Sequence, residues 1–237
     1  MEDLRLGNWS EALADVESID CLMTDPPYGD RVHKGDAAAA VLQKKIQEIR
    51  GRSTVRRPME YSSFDAEKVA KLVEFWQGRN KGWWICMTSH DLIPAWERAF
   101  KEAGLYSFAP VPFIRKVPRL LGDGPASWAD YIMVARPRTI EFSRWGCLPG
   151  AYVLPEGYYE NAKIAVGGKP IWLMRCLVRD YTKPGDVICD PFAGGGTTLV
   201  AAKMEDRKAI GAEIDEETHK KAFARLKRPV TGNLFCE

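Results

Sequence analysis

The stretch that decides the fold runs from Val187-Ile-Cys-Asp190 through Pro191-Phe-Ala-Gly-Gly-Gly196 to Thr197-Thr198. Its first four residues predict a buried strand, and a helix is expected to begin at Thr197 or Thr198. Glycines between a strand and a helix let the backbone approach a ligand closely, and the free N-terminus of the helix offers N–H donors. The stretch therefore predicts a strand, a ligand-binding turn and a helix, which is a unit of an α/β fold.

Three classes of ligand compete for this glycine turn. A phosphate-binding P-loop needs a lysine after its last glycine, and none follows Gly196. A dinucleotide fingerprint needs a third glycine three residues after the second, and that spacing is absent. An adenosyl cofactor without phosphates needs instead a carboxylate for the ribose hydroxyls, and Glu213 lies at the end of the next predicted strand. A tight turn with no ligand is the alternative interpretation.

The rest of the chain alternates short apolar runs with amphipathic stretches. The apolar runs predict further strands over 19–24, 83–88 and 208–214, and an antiparallel pair over 111–115 and 131–135. Helical spacing predicts one helix capped by Asp65, a second that ends at Gly104, and a third from Glu216 to Leu226. This alternation predicts one α/β domain over residues 1–237.

Composition excludes several classes of protein. Lysine and arginine total 34 and aspartate and glutamate total 32, so the net charge of +2 excludes a global polycation. Because no segment resembles a signal peptide or reaches the roughly 18 apolar residues of a membrane span, we expect a cytoplasmic protein. The 6 cysteines include no Cys-x-x-Cys pair, which predicts neither a disulfide framework nor a metal site. Cys21 and Cys189 are expected in the core of strands.

A second motif, Asp25-Pro26-Pro27-Tyr28, directly follows the predicted strand over 19–24. Consecutive prolines stiffen the backbone and cannot donate an N–H. Asp25 and the Pro26 carbonyl can accept the two hydrogens of an exocyclic amine, while Tyr28 can stack on the ring that carries it. The motif therefore suits a planar ligand with an amino group. A strand-ending turn with an aromatic side chain packed below it is the alternative.

With both motifs in this order, the chain resembles the β class of the amino-methylating DNA methyltransferases. These enzymes transfer a methyl group from S-adenosylmethionine to N6 of adenine or N4 of cytosine. The resemblance runs from Leu4 to Leu226 and includes Gly167-Gly-Lys-Pro170 and Gly211-Ala-Glu-Ile-Asp215. It implies a Rossmann-like methyltransferase fold: a mostly parallel seven-stranded sheet with one antiparallel strand near an edge and helices on both faces.

The resemblance also implies roles for individual residues. Catalysis falls to the tetrapeptide Asp25, Pro26, Pro27 and Tyr28, with no nucleophilic cysteine and no metal. The residues expected to bind S-adenosylmethionine are Asn8, Asp25, Lys169, Asp190, Phe192, Ala193, Gly194, Gly196, Thr197, Thr198, Glu213 and Ile214. Asn8 stands where the family often has aspartate.

Double-stranded DNA is the implied partner and a homodimer the implied assembly. Residues 30–60 hold eight basic and four acidic side chains, which predicts a mobile basic segment ordered by DNA phosphates. Its expected DNA contacts are Arg50, Arg52, Arg56 and Arg57. An amphipathic helix is a compatible interpretation. Residues 137–168 are rich in glycine, proline and aromatic side chains and are predicted to be a target-recognition insertion.

The target base is predicted to be adenine, methylated at N6 after it is flipped out of the duplex. Within the family, aspartate at the first position of the tetrapeptide is mostly associated with adenine and serine with cytosine. N4-cytosine methylation is the main alternative, followed by a catalytically inactive DNA-binding homologue. Methyltransferases for RNA or protein glutamine usually carry Asn-Pro-Pro-Tyr after the glycine turn, the reverse order. An NAD-dependent oxidoreductase is disfavoured by the glycine spacing.

Overall fold

A computed structural model describes residues 2–28, 64–119, 125–140, 145–158 and 168–229 of the protein. Its strands are β1 Glu2–Leu6, β2 Ile19–Thr24, β3 Asn80–Thr88, β4 Tyr106–Ser107, β5 Val111–Arg119, β6 Ser127–Arg136, β7 Tyr152–Val153, β8 Val187–Asp190 and β9 Lys208–Glu213. Its helices are α1 Trp9–Ala12, α2 Ala66–Trp76, α3 Ile93–Glu102, α4 Ile171–Tyr181, α5 Thr197–Met204 and α6 Glu216–Leu226, with a 3-10 turn at His90–Leu92.

The strands form one sheet in the order β1-β9-β8-β2-β3-β6-β5-β7, and β4 also pairs with β6. Among the described strands, β6 is antiparallel to β3, β4 and β5, and every other pairing is parallel. The predicted α/β fold with a mostly parallel sheet is therefore confirmed. The sheet has nine strands rather than seven, because the two-residue strand β4 continues the line of β5 along β6 and the two-residue strand β7 extends the sheet beyond β5.

Local sequence signals set the ends of several elements. The Asp65 carboxylate accepts a hydrogen bond from the Lys68 N–H at 2.9 Å, which caps α2 as predicted. β3 begins three residues earlier than predicted, at Asn80, which pairs with Ile19 of β2. The polar stretch Asn80-Lys-Gly82 interrupts the apolar pattern there, so the pattern alone places the start of the strand too late.

The central strands are buried on both faces, and their side chains alternate between two cores. Cys21 and Met23 of β2 pack with α4 and α5, whereas Leu22 of β2 packs with α2 and α3. Cys189 of β8 lies in the second of these cores, so the two cysteines predicted as strand core are both buried, one in each core. Burial raises the pKa of the Cys21 and Cys189 thiols well above the ordinary value, which keeps them neutral.

The carboxyl ends of the adjacent parallel strands β2, β8 and β9 meet at one edge of the sheet, here called the carboxyl edge. The tetrapeptide follows β2, the glycine turn follows β8, and Glu213 ends β9. The β5–β6 hairpin reaches past this edge, because the last residue of β3, Thr88, pairs with Tyr131 while β6 begins at Ser127. The fold thus brings both sequence motifs to the same place.

The structure divides the predicted target-recognition insertion, residues 137–168, between two edges of the sheet. β6 ends at the opposite, amino edge, and there Trp145 packs against Trp83 of β3 with ring centroids 5.7 Å apart. β7 then pairs in parallel with β5 and carries the chain back toward the carboxyl edge. Residues 141–144 and 159–167 of the insertion lie outside the described residues, as does the whole of the predicted basic segment 30–60.

Candidate active site

Asp190, the last residue of β8, is buried and accepts three hydrogen bonds from the protein. The Thr24 hydroxyl donates to Oδ1 at 2.8 Å, the Thr198 hydroxyl donates to Oδ2 at 2.5 Å, and the Phe192 N–H donates to Oδ1 at 3.1 Å. Thr24 directly precedes Asp25, and Thr198 lies in the first turn of α5. Asp190 therefore joins the strand that carries the tetrapeptide to the helix that follows the glycine turn.

Burial raises the pKa of Asp190 to about 6. The three hydrogen bonds act in the other direction because they favour the charged form, and the nearby charge of Asp25 raises the pKa further. Two carboxylates thus lie close together at the carboxyl edge, and one of them titrates not far below neutral pH.

Changing Asp190 to asparagine is expected to alter how the free energy of unfolding depends on pH. The folded pKa of about 6 lies above that of an unfolded aspartate, about 3.9. Folding therefore favours the protonated carboxyl, and this stabilisation is complete below about pH 4 and lost as the pH rises to about 6. Asparagine does not titrate, so the stability of Asp190→Asn relative to the native protein should rise by about 3 kcal/mol over this range.

Urea unfolding of both proteins at several pH values between 4 and 7 measures this difference. The loss of hydrogen bonds to the carboxylate adds a constant offset, so only the change with pH reports the titration. A stability difference that stays constant with pH would contradict a raised pKa for Asp190.

The conformation of the glycine turn depends on two glycines with positive φ and on hydrogen bonds from an arginine in α6. Gly194 and Gly196 have positive φ values of 50° and 74°, a region that glycine adopts without steric cost. The Arg225 guanidinium donates to the Gly195 carbonyl at 3.0 Å and to the Thr197 hydroxyl at 3.1 Å. Arg225 was missed by sequence reasoning, since it lies near the end of α6, 30 residues after Gly195, and carries no motif of its own.

Glu213, at the end of β9, lies beside the glycine turn and is 7% exposed. Its carboxylate accepts a hydrogen bond from the Asp215 N–H at 2.8 Å, and the backbone of Gly194 also hydrogen-bonds to it. Burial raises the pKa of Glu213, while these backbone contacts lower it. Glu213 therefore borders directly on the glycine turn, as its place at the end of the predicted strand suggested.

Two large apolar side chains flank Glu213 and remain exposed. Leu6, at the end of β1, pairs with Glu213 in the sheet and is 49% exposed, and Ile214 is 60% exposed. Ile214 was predicted to bind the cofactor, whereas Leu6 was missed because the sequence pattern gave β1 no strand signal. Together they place an open apolar surface beside a carboxylate, which suits a ligand with a planar ring and hydroxyl groups.

Asn8 and Phe192 take part in contacts within the protein. Asn8 caps α1, and its Oδ1 accepts hydrogen bonds from the N–H and the hydroxyl of Ser10. The Phe192 ring is half-buried and packs edge-to-face on Phe64, with centroids 5.4 Å apart, and at a tilt on Trp9. Asn8 lies in the turn after β1, and Phe192 lies in the glycine turn after β8. Cofactor contact remains a prediction for both residues.

Asp25 and Tyr28, which follow β2, form a compact cluster with Lys169, which precedes α4. The Lys169 ammonium donates to Asp25 Oδ1 at 2.8 Å, to Asp25 Oδ2 at 2.7 Å and to the Tyr28 hydroxyl at 2.6 Å. It also lies 4.7 Å from the centre of the Tyr28 ring. Lys169 was predicted to bind the cofactor. In the structure its ammonium contacts the Asp25-Pro26-Pro27-Tyr28 tetrapeptide, and cofactor contact stays a prediction.

The environment of Asp25 contains charges of both signs. Burial is the main cause that raises the pKa of Asp25, and the carboxylate of Asp130 in β6 adds to it. The charge and hydrogen bonds of Lys169 and the hydrogen bond of Tyr28 lower the pKa. Asp130 is itself buried, with Arg115 of β5 at 3.6 Å. The β5–β6 hairpin thus contributes a charged pair, Arg115 and Asp130, of which Asp130 acts on Asp25.

The remaining predicted residues are placed as follows. Arg50, Arg52, Arg56 and Arg57 lie outside the described residues. Among the described residues, no group of three or more His, Cys, Asp or Glu side chains is arranged to hold a metal ion, and no helix has the length and apolar character needed to cross a bilayer.

Solved structures of DNA methyltransferases share this fold. M1.HpyAVI, solved as a complex with SAM, is 19% identical with a TM-score of 0.67, over 96% of this chain and 100% of that one. The cytosine-N4-specific PvuII DNA methyltransferase is 16% identical with a TM-score of 0.65, over 97% of this chain and 88% of that one. The fold is therefore that of the S-adenosylmethionine-dependent methyltransferases, as predicted.

The family is indicated by the sequence itself. Residues 157–224, which include the glycine turn and Glu213, match the N6/N4 family described as DNA methylase. The DNA adenine methyltransferase YhdJ of Escherichia coli (strain K12) is 41% identical over 75 residues, 32% of this chain and 24% of that protein. The match confirms the predicted resemblance to the amino-methylating DNA methyltransferases. The matches span about a quarter of the length of these curated relatives.

Proposed function

We propose that the protein transfers a methyl group from S-adenosylmethionine to the exocyclic amine of a base in DNA. The hydrogen bond between Thr24 and Asp190 is the observation that carries this proposal. It joins the strand ends that bear the two motifs, so Asp25 lies beside the glycine turn at the carboxyl edge. A carboxylate for an amine and a turn for an adenosyl group are then adjacent, as a transfer between the two ligands requires.

The residues around the glycine turn fit S-adenosylmethionine. Glu213 offers a buried carboxylate for the ribose hydroxyls, and the exposed Leu6 and Ile214 offer apolar surface to the adenine ring. Gly194 and Gly196 let the backbone approach the amino-acid part, with Thr197 and Thr198 at the start of α5. One neighbouring structure was solved with SAM, which supports the same ligand here.

In the proposed reaction the protein aligns a weak nucleophile. An exocyclic amine on an aromatic ring is a poor nucleophile because its lone pair is delocalised into the ring. Hydrogen bonds from the amine to Asp25 and to the Pro26 carbonyl favour a pyramidal nitrogen and stabilise the positive charge that develops on it. Bound S-adenosylmethionine supplies an already activated methyl group. The remaining work of the protein is to align the two groups and to exclude water.

DNA is the proposed substrate, and the target base must leave the duplex to reach Asp25. Tyr28 would stack on the flipped base, and this contact would offset part of the cost of unstacking, a few kcal/mol. Phosphate contacts from Arg50, Arg52, Arg56 and Arg57 would contribute binding that does not depend on sequence.

The target atom is proposed to be N6 of adenine. Asp25 accepts strongly from an N6 amine, and a purine overlaps the Tyr28 ring more than a pyrimidine does. The adenine specificity in the name of YhdJ supports this choice. The fold does not discriminate, since the PvuII enzyme is named as cytosine-specific.

Incubating the purified protein with duplex DNA and labelled S-adenosylmethionine, then separating the nucleosides by mass spectrometry, tests both parts of the proposal. We expect the label in N6-methyladenine. Label in N4-methylcytosine alone would overturn the choice of base and leave the roles of Asp25 and Tyr28 intact. RNA and protein acceptors in parallel reactions serve as controls, and label in either of them would overturn the choice of DNA.

A further inference from the structure

Lys169 has no assigned part in the reaction proposed above, yet its ammonium contacts both oxygens of Asp25 and the hydroxyl of Tyr28. Its side chain is 6% exposed, and that of Asp25 is 24% exposed. The residue stands directly before Pro170, the N-cap of α4, so its backbone is anchored by a helix that packs in the core. The contact is therefore an internal ion pair beside the open part of the site.

In the described part of the chain, the polar and charged groups around Asp25 come from five elements of the fold. Lys169 precedes α4, Tyr28 follows β2, Asp130 lies in β6 with Arg115 of β5 at 3.6 Å, and Asp190 ends β8. Burial and the Asp130 carboxylate oppose ionisation of Asp25, and the charge of Asp25 in turn raises the pKa of Asp190. Of the residues that the structure describes, Lys169 is the cation in direct contact with Asp25, and it is the main one among them that favours the ionised carboxylate.

We propose that Lys169 is a positioning residue for methyl transfer, which keeps Asp25 ionised and holds the Tyr28 ring in place. A carboxylate can accept several hydrogen bonds at once, so Asp25 can bind the target amine while it remains paired with Lys169. A protonated Asp25 would offer the amine a weaker acceptor and would stabilise less of the developing positive charge. The inference rests on the proposed methyl transfer.

Because the proposed reaction requires an ionised Asp25, protonation of Asp25 contributes an acidic limb to the pH–rate profile. The proposal predicts that Lys169→Gln moves this limb to higher pH by about one unit or more, because an opposite charge at contact distance lowers a carboxyl pKa by about one to three units. Above the new limb the rate constant should recover to within a few-fold of the native value. Lys169→Arg retains the positive charge and should restore the native limb.

Single-turnover transfer of a tritiated methyl group to duplex DNA at several pH values measures the profile. Lys169→Met is the second variant, because its unbranched side chain fills similar space without needing a hydrogen-bond partner. Lys183→Met is the matched control: the Lys183 ammonium also lies over an aromatic ring, 4.4 Å from the centre of Trp145, but precedes β8 at the amino edge. Its profile should coincide with that of the native protein.

Two results would overturn the proposal. One is an unshifted acidic limb in both Lys169→Gln and Lys169→Met. The other is a loss of S-adenosylmethionine affinity by calorimetry with no shift of the limb, which would return Lys169 to the cofactor site. Absence of transfer by the native protein on any acceptor would instead refute the proposed function, so the two failures are distinguishable.

Discussion

Asp25→Ala should reduce the rate of methyl transfer by about 10²- to 10³-fold or more, the scale of losing a group that stabilises transition-state charge. Alanine removes the carboxylate that accepts from the target amine and leaves the Lys169 ammonium without its ion-pair partner. An ammonium at this position would also repel the positive charge that develops on the target nitrogen. Single-turnover transfer of a tritiated methyl group to duplex DNA measures the effect.

The same variant should bind S-adenosylmethionine with an affinity close to that of the native protein, because the glycine turn and Glu213 are unchanged. Asp20→Ala is the matched control: Asp20 lies in the same strand, near the amino edge, where its carboxylate accepts from the Val187 N–H at 2.8 Å. That variant should retain transfer. Substantial activity in Asp25→Ala would show that another group accepts from the amine.

Glu213→Ala is expected to weaken S-adenosylmethionine binding by about 1 to 3 kcal/mol, or about 5- to 150-fold, the range for a hydrogen bond to a charged group. The carboxylate is buried between the Gly194 and Asp215 backbones and faces the turn, so its loss removes an acceptor for the ribose. Calorimetry without DNA measures the change in affinity.

Glu213→Gln provides the companion variant. Its amide oxygen can still accept from the Asp215 N–H, which preserves the local fold while the charge is lost. We expect an affinity between those of the native protein and Glu213→Ala. Equal affinities for all three proteins would remove Glu213 from the cofactor site, and absent binding by the native protein would refute the site as a whole.

Much of the fold could be predicted because the signals that begin and end its helices and strands are local in sequence. Pro26 and Pro27 end β2 where predicted, Asp65 caps α2, and the glycine turn marks the boundary between β8 and α5. β1 was missed because it is an edge strand with a single buried leucine, and its strand character depends on pairing with β9. The two-residue strands β4 and β7 have no sequence signal at all.

The candidate site was partly predictable for a related reason. The carboxyl ends of parallel strands converge, so two motifs far apart in sequence could be expected to meet. Lys169 contacts Asp25 across 144 residues of sequence, and this contact depends on where the loop before α4 packs. Arg225 contacts the glycine turn across 30 residues, and this contact depends on where α6 packs. No periodicity or spacing in the sequence reports such contacts.

The order of strands in the sheet also determines when each strand can pair with its neighbour during synthesis of the chain. β1 ends at Leu6 and its partner β9 begins at Lys208, so the first strand has no neighbour in the described sheet until nearly the whole domain has been synthesised. At about 5 to 20 residues per second, that wait lasts roughly 10 to 40 seconds on a ribosome. Strand β2 can pair early with β3 but must wait for β8, and the carboxyl edge is complete only when β9 follows. The site can therefore be assembled only after β8 and β9 have been synthesised, and a truncated chain that stops before β8 holds Asp25 without the turn that it faces.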